Sequence, residues 1–155
     1  MSLIASLLPV SHVLVDFAAA DRKAVFEQVA ALLEGKTGVK RALILDSLLA
    51  RERLGSTGLG QGIAIPHGRV RGLREATGAF VRVRQPIEFE APDERPVSLI
   101  FVLLVPEKST DLHLEILGEL AQMFSDRELR ARLYAAPDSL EVQRLIAGWD
   151  TRPTH

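Results

Sequence analysis

The chain has 155 residues, 47% of them hydrophobic and 25% charged, a composition typical of one folded domain rather than a disordered chain. The 19 lysines and arginines nearly balance the 20 aspartates and glutamates, so no general positive charge is present to bind nucleic acid by its phosphates. The chain has no cysteine, which excludes disulfides, thiolate catalysis and thiolate metal sites.

The apolar runs and the start of the chain indicate neither a membrane protein nor a secreted one. No run approaches the roughly 18 apolar residues that a membrane span needs. The start, MSLIASLLPVSH, lacks the basic segment of a secretory signal. We therefore expect a cytoplasmic protein with no direct membrane insertion and no nucleic-acid partner. The arginine-dense stretch Arg69–Arg84 is the one place to look for a basic patch.

The first third of the chain predicts a strand followed by two helices. Val13–Phe17 is a short β-rich run. The apolar spacing after it predicts a helix with Asp21 as its N-cap and either Gly35 or Gly38 at its end. A second helix is predicted at about Arg41–Arg53.

The middle of the chain predicts a loop and then the strands of a sheet. Four glycines in the eight residues Gly55–Gly62 predict an irregular segment, and Ile63–Ile65 is a strand fragment. Residues 80–84 alternate apolar with polar side chains, which predicts a strand with one wet face. Val97–Pro106 is almost entirely apolar and predicts a central strand that is buried on both faces.

The last third predicts three helices, and the order of all elements predicts an α/β fold. An amphipathic helix is predicted within Ser109–Phe124, and two shorter helices at Asp126–Ala135 and Ser139–Trp149. We therefore predict a three-layer α/β/α domain, residues 1–150, with a mixed central sheet flanked by helices. Residues 151–155 are predicted to be a mobile C-terminal tail.

Two of the four histidines are candidates for chemistry. His113 lies in the first turn of the third predicted helix, with Ser109 or Thr110 as its cap. Free N–H groups at such a helix start favour an anion, and ligands bind there in sheet-based α/β folds. A histidine half-packed against its own helix is the simpler explanation, and the sequence leaves both open. His12 and His155 have no comparable setting.

His67 lies between Pro66 and Gly68 in the segment GQGIAIPHGR. Pro66 keeps the chain extended and excludes a helix, and Gly68 permits unusual dihedral angles. We expect His67 to lie in a loop at the end of a buried strand, where a rigid scaffold holds functional groups. The glycines before it offer N–H groups of the kind that bind a phosphate. The pattern alone favours a simple turn histidine and a functional histidine equally.

The chemistry open to His67 is narrow. A metal site needs at least three protein ligands, and the chain has neither cysteines nor an HExxH motif. Ser56 is available as a nucleophile, but the GxSxG elbow of many hydrolases is absent. The best fit is the imidazole itself as a nucleophile that forms a covalent phosphoryl intermediate. We expect neither a metal nor a cofactor.

Two segments of the sequence resemble a known family. RERLGSTGLGQGIAIPHGR strongly resembles the phosphorylation-site segment of enzyme IIA proteins of the bacterial phosphotransferase system, fructose/mannitol type. PVSLIFVLLVPEKSTDLHLEILGELAQMFSD is similar to the second segment of that family. With the length and the order of elements, the resemblance covers essentially the whole chain. Within the family, the stand-alone nitrogen-regulatory form looks most similar.

The resemblance implies a role for each of three residues. His67 matches the histidine that accepts the phosphoryl group on Nε2, and His113 matches the second histidine, which contacts that group. Arg51 matches an arginine, sixteen residues before the acceptor, that helps to hold the phosphoryl oxygens. The position of Arg51 at a helix end would not by itself have selected it. Some sugar-transferring relatives have an acidic residue where Gln61 stands.

The resemblance implies two functions, and the fold allows a third. The first is a regulator that is phosphorylated by a histidine phosphocarrier, HPr-like or nitrogen-specific, and that controls target proteins by its phosphorylation state. The second is a sugar-specific enzyme IIA that passes phosphate to an enzyme IIB during fructose- or mannitol-type uptake. The third is a binding module in which His67 is never phosphorylated. We favour the regulator.

Overall fold

A computed structural model describes residues 4–109 and 111–149, and this part of the chain contains one mixed sheet and five α-helices. The strands are β1 Val13–Phe17, β2 Gly58–Gly60, β3 Ile63–Ala64, β4 His67–Val70, β5 Thr77–Ile87 and β6 Val97–Pro106. The helices are α1 Arg22–Thr37, α2 Arg41–Leu54, α3 Asp111–Phe124, α4 Arg127–Ala135 and α5 Ser139–Ala147. Short 3₁₀ turns at Ala5–Leu7 and Val10–His12 precede β1.

Strand β6 is the centre of the sheet, because other strands pair with both of its edges. The order is β1-β5-β6-β3-β2, and β4 pairs with β6 further along the edge that β3 occupies. β5 runs antiparallel to β6, whereas β3 and β4 run parallel to it, and β1 is parallel to β5. The mixed sheet confirms the predicted fold class. The continuous apolar sequence of β6 explains why it is buried on both faces.

Two hydrophobic cores cover the opposite faces of this sheet, because successive side chains of a strand point to opposite sides. One core packs α3, α4 and α5 against the sheet and includes, from β6, Leu99, Phe101, Leu103 and Val105. The other packs α1 and α2 against the sheet and includes, from the same strand, Ile100, Val102 and Leu104. The three-layer α/β/α arrangement follows from this alternation.

Two residues predicted from the sequence cap α1. The Asp21 side chain accepts a hydrogen bond of 2.9 Å from the N–H of Ala24 and so begins the helix. Gly38 ends it in the left-handed conformation, with a φ of 78°, which residues with a Cβ rarely adopt. Gly35, the other predicted end, lies inside α1.

Two segments that the sequence predicts to be loops are short strands. Gly58–Gly60 forms β2, antiparallel to β3, in the middle of the glycine-rich segment. Glycine disfavours strands in general, but here close packing demands it, since a Cβ at Gly58 would approach the Cβ of Ala91 to 2.8 Å. His67–Val70 forms β4 because its backbone pairs with β6 in register. Pairing with a distant strand overrides the local signal in both cases.

The predicted wet face of β5 is wrong at Arg82, which is only 8% exposed. Its Nη1 group donates hydrogen bonds of 2.8 Å to the carbonyls of Leu133 and Ala136, at the end of α4. Its Nη2 group donates to Asp16 Oδ1 at 3.3 Å. The last carbonyls of a helix have no partners within the helix and carry partial negative charge. Arg82 satisfies them and so fixes α4 against the sheet.

Several predicted features lie outside the described residues. These are the tail at residues 151–155, the domain boundary at residue 150 and the cap candidate Thr110. Among the residues that are described, none of the helices combines the length and the apolar character that crossing a membrane requires.

We expect Arg82→Met to lower the free energy of unfolding by about 2–4 kcal/mol, since each buried carbonyl left without a donor costs about 1–3 kcal/mol. Urea denaturation followed by circular dichroism measures the change. Arg84→Met, two residues along β5 and exposed, is the matched control. Equal losses in the two variants would contradict the role assigned to Arg82.

Candidate functional site

His67 is placed by a break in the strand that runs along one edge of β6. β3 and β4 both pair with this edge, and Ile65 and Pro66 lie between them. The Pro66 carbonyl still accepts a hydrogen bond of 2.9 Å from the N–H of Leu103. The Ile65 carbonyl instead faces the His67 ring, 2.8 Å from Nδ1. His67 therefore begins a strand rather than lying in the predicted loop, and its ring bonds to the backbone two residues earlier.

The backbone of β4 packs against α2, and this packing determines the face of the sheet to which the His67 side chain points. Gly68 lies so close to Ser47 that an added Cβ would overlap the Ser47 hydroxyl. That hydroxyl donates a hydrogen bond of 3.0 Å to the carbonyl of Arg69. Val70 joins the core beneath α1 and α2. Because side chains alternate along a strand, His67 points to the opposite face, which α3 covers.

Arg51 reaches His67 from the last turn of α2. Its Nε–H group donates a hydrogen bond of 3.2 Å to His67 Nε2, and its Nη1 group donates to the Gly55 carbonyl at 2.8 Å. An imidazole nitrogen that accepts a hydrogen bond carries no proton. The two bonds to the ring therefore select the tautomer with a proton on Nδ1 and a lone pair on Nε2.

His113 lies beside His67 at the start of α3. The two ring centroids are 5.1 Å apart and the rings are nearly perpendicular, at 82°. His113 is buried, and its Nδ1 atom is enclosed without a hydrogen-bond partner among the described residues. The structure thus brings together all three predicted site residues, Arg51, His67 and His113. They come from α2, β4 and α3, so both helical layers contribute to one site at the sheet edge.

Both site histidines favour their neutral forms. Burial lowers the pKa of His67 most, and the positive charge of Arg51 lowers it further. The hydrogen bond to Ile65 and the charge of Glu52 raise it, but by less. Burial also lowers the pKa of His113, and positive charge on His67 and nearby arginines adds to the effect. A neutral His67 ring keeps an unprotonated lone pair on Nε2, as a nucleophile requires, with Arg51 as its hydrogen-bond donor.

Three N–H groups of the glycine-rich segment are already bonded and are not part of the phosphate-binding nest that its sequence suggests. The N–H of Thr57 donates to Glu52 Oε2 at 3.1 Å, and that of Gln61 donates to Asp93 Oδ2 at 2.9 Å. The N–H of Gly58 donates to Ser56 Oγ at 3.0 Å. These three amides bond within the protein. The segment shapes the site without offering those N–H groups to a ligand.

The other candidate groups among the described residues take no part in the site. The Ser56 hydroxyl donates to the Phe89 carbonyl, so it is not arranged as a nucleophile beside His67. His12 is buried, and its Nδ1 lies 2.9 Å from the Gly78 carbonyl. His155 lies outside the described residues. Within the described ranges, no group of three or more histidine, aspartate or glutamate side chains is placed to hold a metal ion.

The sequence interpretation overlooked Glu52, a carboxylate that is only 7% exposed and lies next to Arg51 in the chain. It contacts Thr57 and Arg22 rather than His67. The sequence offered one signal for Glu52: an acidic residue on the buried face of α2, near the end of the helix. Its partners lie in other elements, however, and no local pattern identifies them.

Comparisons with known proteins give a family model and relatives that match most of the chain. The sequence model of the family described as "Phosphoenolpyruvate-dependent sugar phosphotransferase system, EIIA 2" matches residues 6–148. The nitrogen regulatory protein of Pseudomonas aeruginosa is 41% identical over 134 residues, which cover 86% of this chain and 87% of that protein.

Two solved structures are similar to the whole fold. The crystal structure of nitrogen regulatory protein IIA-Ntr from Neisseria meningitidis has a TM-score of 0.89 and 49% identity, covering 94% of this chain and 99% of that one. The mannitol enzyme IIA of Escherichia coli, solved in complex with its phosphorylated enzyme IIB, has a TM-score of 0.78 and 20% identity. That match covers 92% of this chain and 100% of the other, and at this identity it shows the fold alone.

The lowered pKa values of His67 and His113 predict that the protein loses stability as the pH falls. The unfolded chain binds protons at the ordinary histidine pKa of about 6.5, before the native sites do, so stability is present above that pH and declines below it. We expect ring resonances in NMR titrations to shift below pH 6.5, and the free energy of unfolding to fall from about pH 7 to pH 5. His113→Asn should reduce this decline. A pKa above about 6.5 for both the His67 and the His113 ring would refute the prediction.

Proposed function

The chain belongs to the EIIA type 2 family of the phosphoenolpyruvate-dependent sugar phosphotransferase system, and from this premise we propose that it is a nitrogen-related regulator controlled by phosphorylation of His67. The relatives at 41% and 49% identity carry the name nitrogen regulatory protein, and each match covers most of both chains. The sugar-related structure is only 20% identical. A fructose-specific EIIA component of Haloferax volcanii is 37% identical, but over 107 residues, 69% of this chain. The longer matches, at higher identity, to nitrogen regulatory proteins therefore favour regulation over sugar uptake.

One observation carries the proposed chemistry: His67 Nε2 is held as an unprotonated nitrogen by two hydrogen bonds on opposite sides of the ring. In the proposed reaction this lone pair attacks the phosphorus of a phosphohistidine on the carrier. A bond from nitrogen to phosphorus forms on His67 as the equivalent bond on the carrier breaks, and the carrier's nitrogen regains its lone pair. The proton on Nδ1 stays where the Ile65 carbonyl holds it.

Arg51 and His113 would stabilise the charge on the phosphoryl group. Phosphoryl transfer depends on in-line positioning and on donors for the equatorial oxygens more than on acid–base chemistry. Arg51 must exchange its hydrogen bond to Nε2 for one to a phosphoryl oxygen as the new bond forms. The ring centroid of His113, on a separate helix, already lies 5.1 Å from that of His67. Both are therefore proposed as catalytic residues, together with His67, with no metal or cofactor.

Exposed leucines close in sequence to Arg51 and His113 support a protein as the other reactant. Leu54, three residues after Arg51 at the end of α2, is 84% exposed, and Leu114, the residue after His113 on α3, is 64% exposed. Exposed apolar side chains beside polar site residues are typical of interaction surfaces. We propose that this surface receives a histidine phosphocarrier, HPr-like or nitrogen-specific, and then the regulatory targets. Because the phosphate originates from phosphoenolpyruvate, a metabolite of the cytoplasm, the proposal places the protein there.

The alternative is that this chain passes phosphate to an enzyme IIB, as a sugar-specific enzyme IIA would. The complex of the mannitol proteins shows that enzyme IIA of that system contacts an enzyme IIB. Gln61 is uncharged, whereas some sugar-transferring members have an acidic residue there. The residue lies in the loop before β3, with a φ of 59° and its N–H bonded to Asp93. The absence of a carboxylate at this position favours the regulator.

We expect His67→Ala to abolish phosphoryl acceptance, and Arg51→Ala and His113→Ala to slow it by about 10²–10³-fold each, the usual effect of removing one preorganised donor. Incubation with phosphoenolpyruvate, enzyme I and a phosphocarrier, followed by intact-protein mass and rapid-quench kinetics, measures both effects. Arg53→Ala, an exposed neighbour on α2, is the control for charge. Normal labelling of His67→Ala would disprove the mechanism.

Phosphorylation should change which proteins bind. The modification places a charge of about −2 in the middle of the proposed surface, which disfavours acidic or apolar partners and favours one with an arginine opposite. Pull-downs from a lysate of the source bacterium should therefore retain different partners with the enzymatically phosphorylated and the unphosphorylated protein. His67→Ala is the control, because it cannot be phosphorylated. Identical partners in both forms would favour the relay to an enzyme IIB.

A further inference from the structure

Glu52 is a buried carboxylate whose partners account for both of its oxygens. Oε2 accepts hydrogen bonds from the Thr57 N–H at 3.1 Å and from Arg22 Nη1 at 3.2 Å. Oε1 accepts from the Thr57 hydroxyl at 2.8 Å. A buried charge is tolerated only when it is paired and hydrogen-bonded in this way. Glu52 thus binds the loop after α2 at two points and ties it to α1 through Arg22.

A short series of hydrogen bonds leads from Thr57 to the ring of His67. The Thr57 carbonyl accepts a hydrogen bond of 3.1 Å from the N–H of Ile65. The carbonyl of Ile65 is the group that lies 2.8 Å from His67 Nδ1. Ile65 stands in the break between β3 and β4, and its N–H is held by Thr57. The direction of its carbonyl therefore depends on the position of Thr57.

The same turn of α2 also fixes the second hydrogen bond to the ring. Arg51 precedes Glu52, and its Nη1 group donates to the carbonyl of Gly55 at 2.8 Å. The N–H of Gly55 donates in turn to the main-chain carbonyl of Glu52 at 3.2 Å. The Ile65 carbonyl, which accepts the Nδ1 proton, is thus linked to Glu52 through Thr57. Arg51, which donates to Nε2, is linked to Glu52 through Gly55.

We propose that Glu52 is a positioning residue that sets the tautomer of His67 through Thr57 and Ile65. It does not touch the ring and makes no bond to the phosphoryl group. Without it, the Ile65 carbonyl loses its fixed direction and a fraction of His67 carries its proton on Nε2, where no attack can occur. The inference deepens the proposed function, since an Nδ1–H tautomer is what acceptance on Nε2 requires.

The test reads the tautomer and the phosphorylation rate separately. The ¹⁵N chemical shifts of the His67 ring, measured above its pKa in the unphosphorylated protein, should report an Nδ1–H ring in the native chain and a mixture in Glu52→Ala. Phosphorylation of Glu52→Ala should be about 10–100-fold slower, the range found when a hydrogen-bond partner that orients a metal-ligating histidine is removed. Glu34→Ala is the matched control, since that carboxylate also binds a backbone N–H and an arginine, both of Arg41.

Glu52→Gln separates positioning from charge. Its amide oxygen can accept from Thr57 N–H and Arg22, and its NH₂ group can donate to the Thr57 hydroxyl, so the loop stays in place. We expect it to restore the native tautomer and most of the rate. The contrary result is that Glu52→Gln and Glu52→Ala are phosphorylated equally slowly while His67 keeps its native tautomer in both. That result would assign Glu52 an electrostatic role and overturn the proposal.

If Glu52→Ala does not fold, variants of Thr57 test whether its contact with Glu52 sets the tautomer of His67. Thr57→Val removes the hydroxyl donor while Thr57→Ser keeps it, so only the valine variant should shift the tautomer and slow phosphorylation. A native tautomer and rate in Thr57→Val and in every folded Glu52 variant would overturn the inference. If the native chain is never phosphorylated, the proposed function fails instead, and the tautomer alone still decides the role of Glu52.

Discussion

The hydrogen bond between His67 Nδ1 and the Ile65 carbonyl is the interaction on which the site depends. It exists because Pro66 interrupts the strand beside β6, so that the carbonyl before it faces a side chain. Every other feature of the site acts on the ring that this bond orients. Arg51 approaches the opposite nitrogen, and His113 stands perpendicular to the ring. A regular strand through residue 65 would leave the imidazole free to rotate and to change its tautomer.

The three-layer fold explains how residues so far apart in sequence meet. His67 lies on a strand at the edge of β6, where helices from both faces of the sheet come within reach of it. Arg51 arrives from the layer of α1 and α2, and His113 from the layer of α3, α4 and α5. Interactions such as that of Arg82 with the end of α4 keep these layers at fixed distances from the sheet. The geometry of the site is thereby a property of the whole fold.

Sequence patterns predicted the fold class, the helix cap at Asp21 and the central strand β6, because each depends on neighbouring residues or on simple periodicity. Proline and glycine around His67 marked it as unusual, but not as a nucleophile. Arg51 was found only by resemblance, since its partner is sixteen residues away and in another element. The burial of Arg82 and the partners of Glu52 could not be predicted, because those partners are backbone groups and side chains that only the folded chain brings near.

The fixed tautomer has a thermodynamic consequence for the proposed relay. If the phosphoryl group moves from one imidazole to another while the Nδ1 proton of His67 stays in place, His67 takes up and releases no proton in the step. The bond broken and the bond formed are of the same kind, so the exchange lies close to equilibrium and runs in both directions. The fraction of protein that carries phosphate would then follow the phosphorylated fraction of its donor, rather than accumulate irreversibly. Such a protein reports the current supply of phosphoryl groups, with no separate phosphatase needed to reset it.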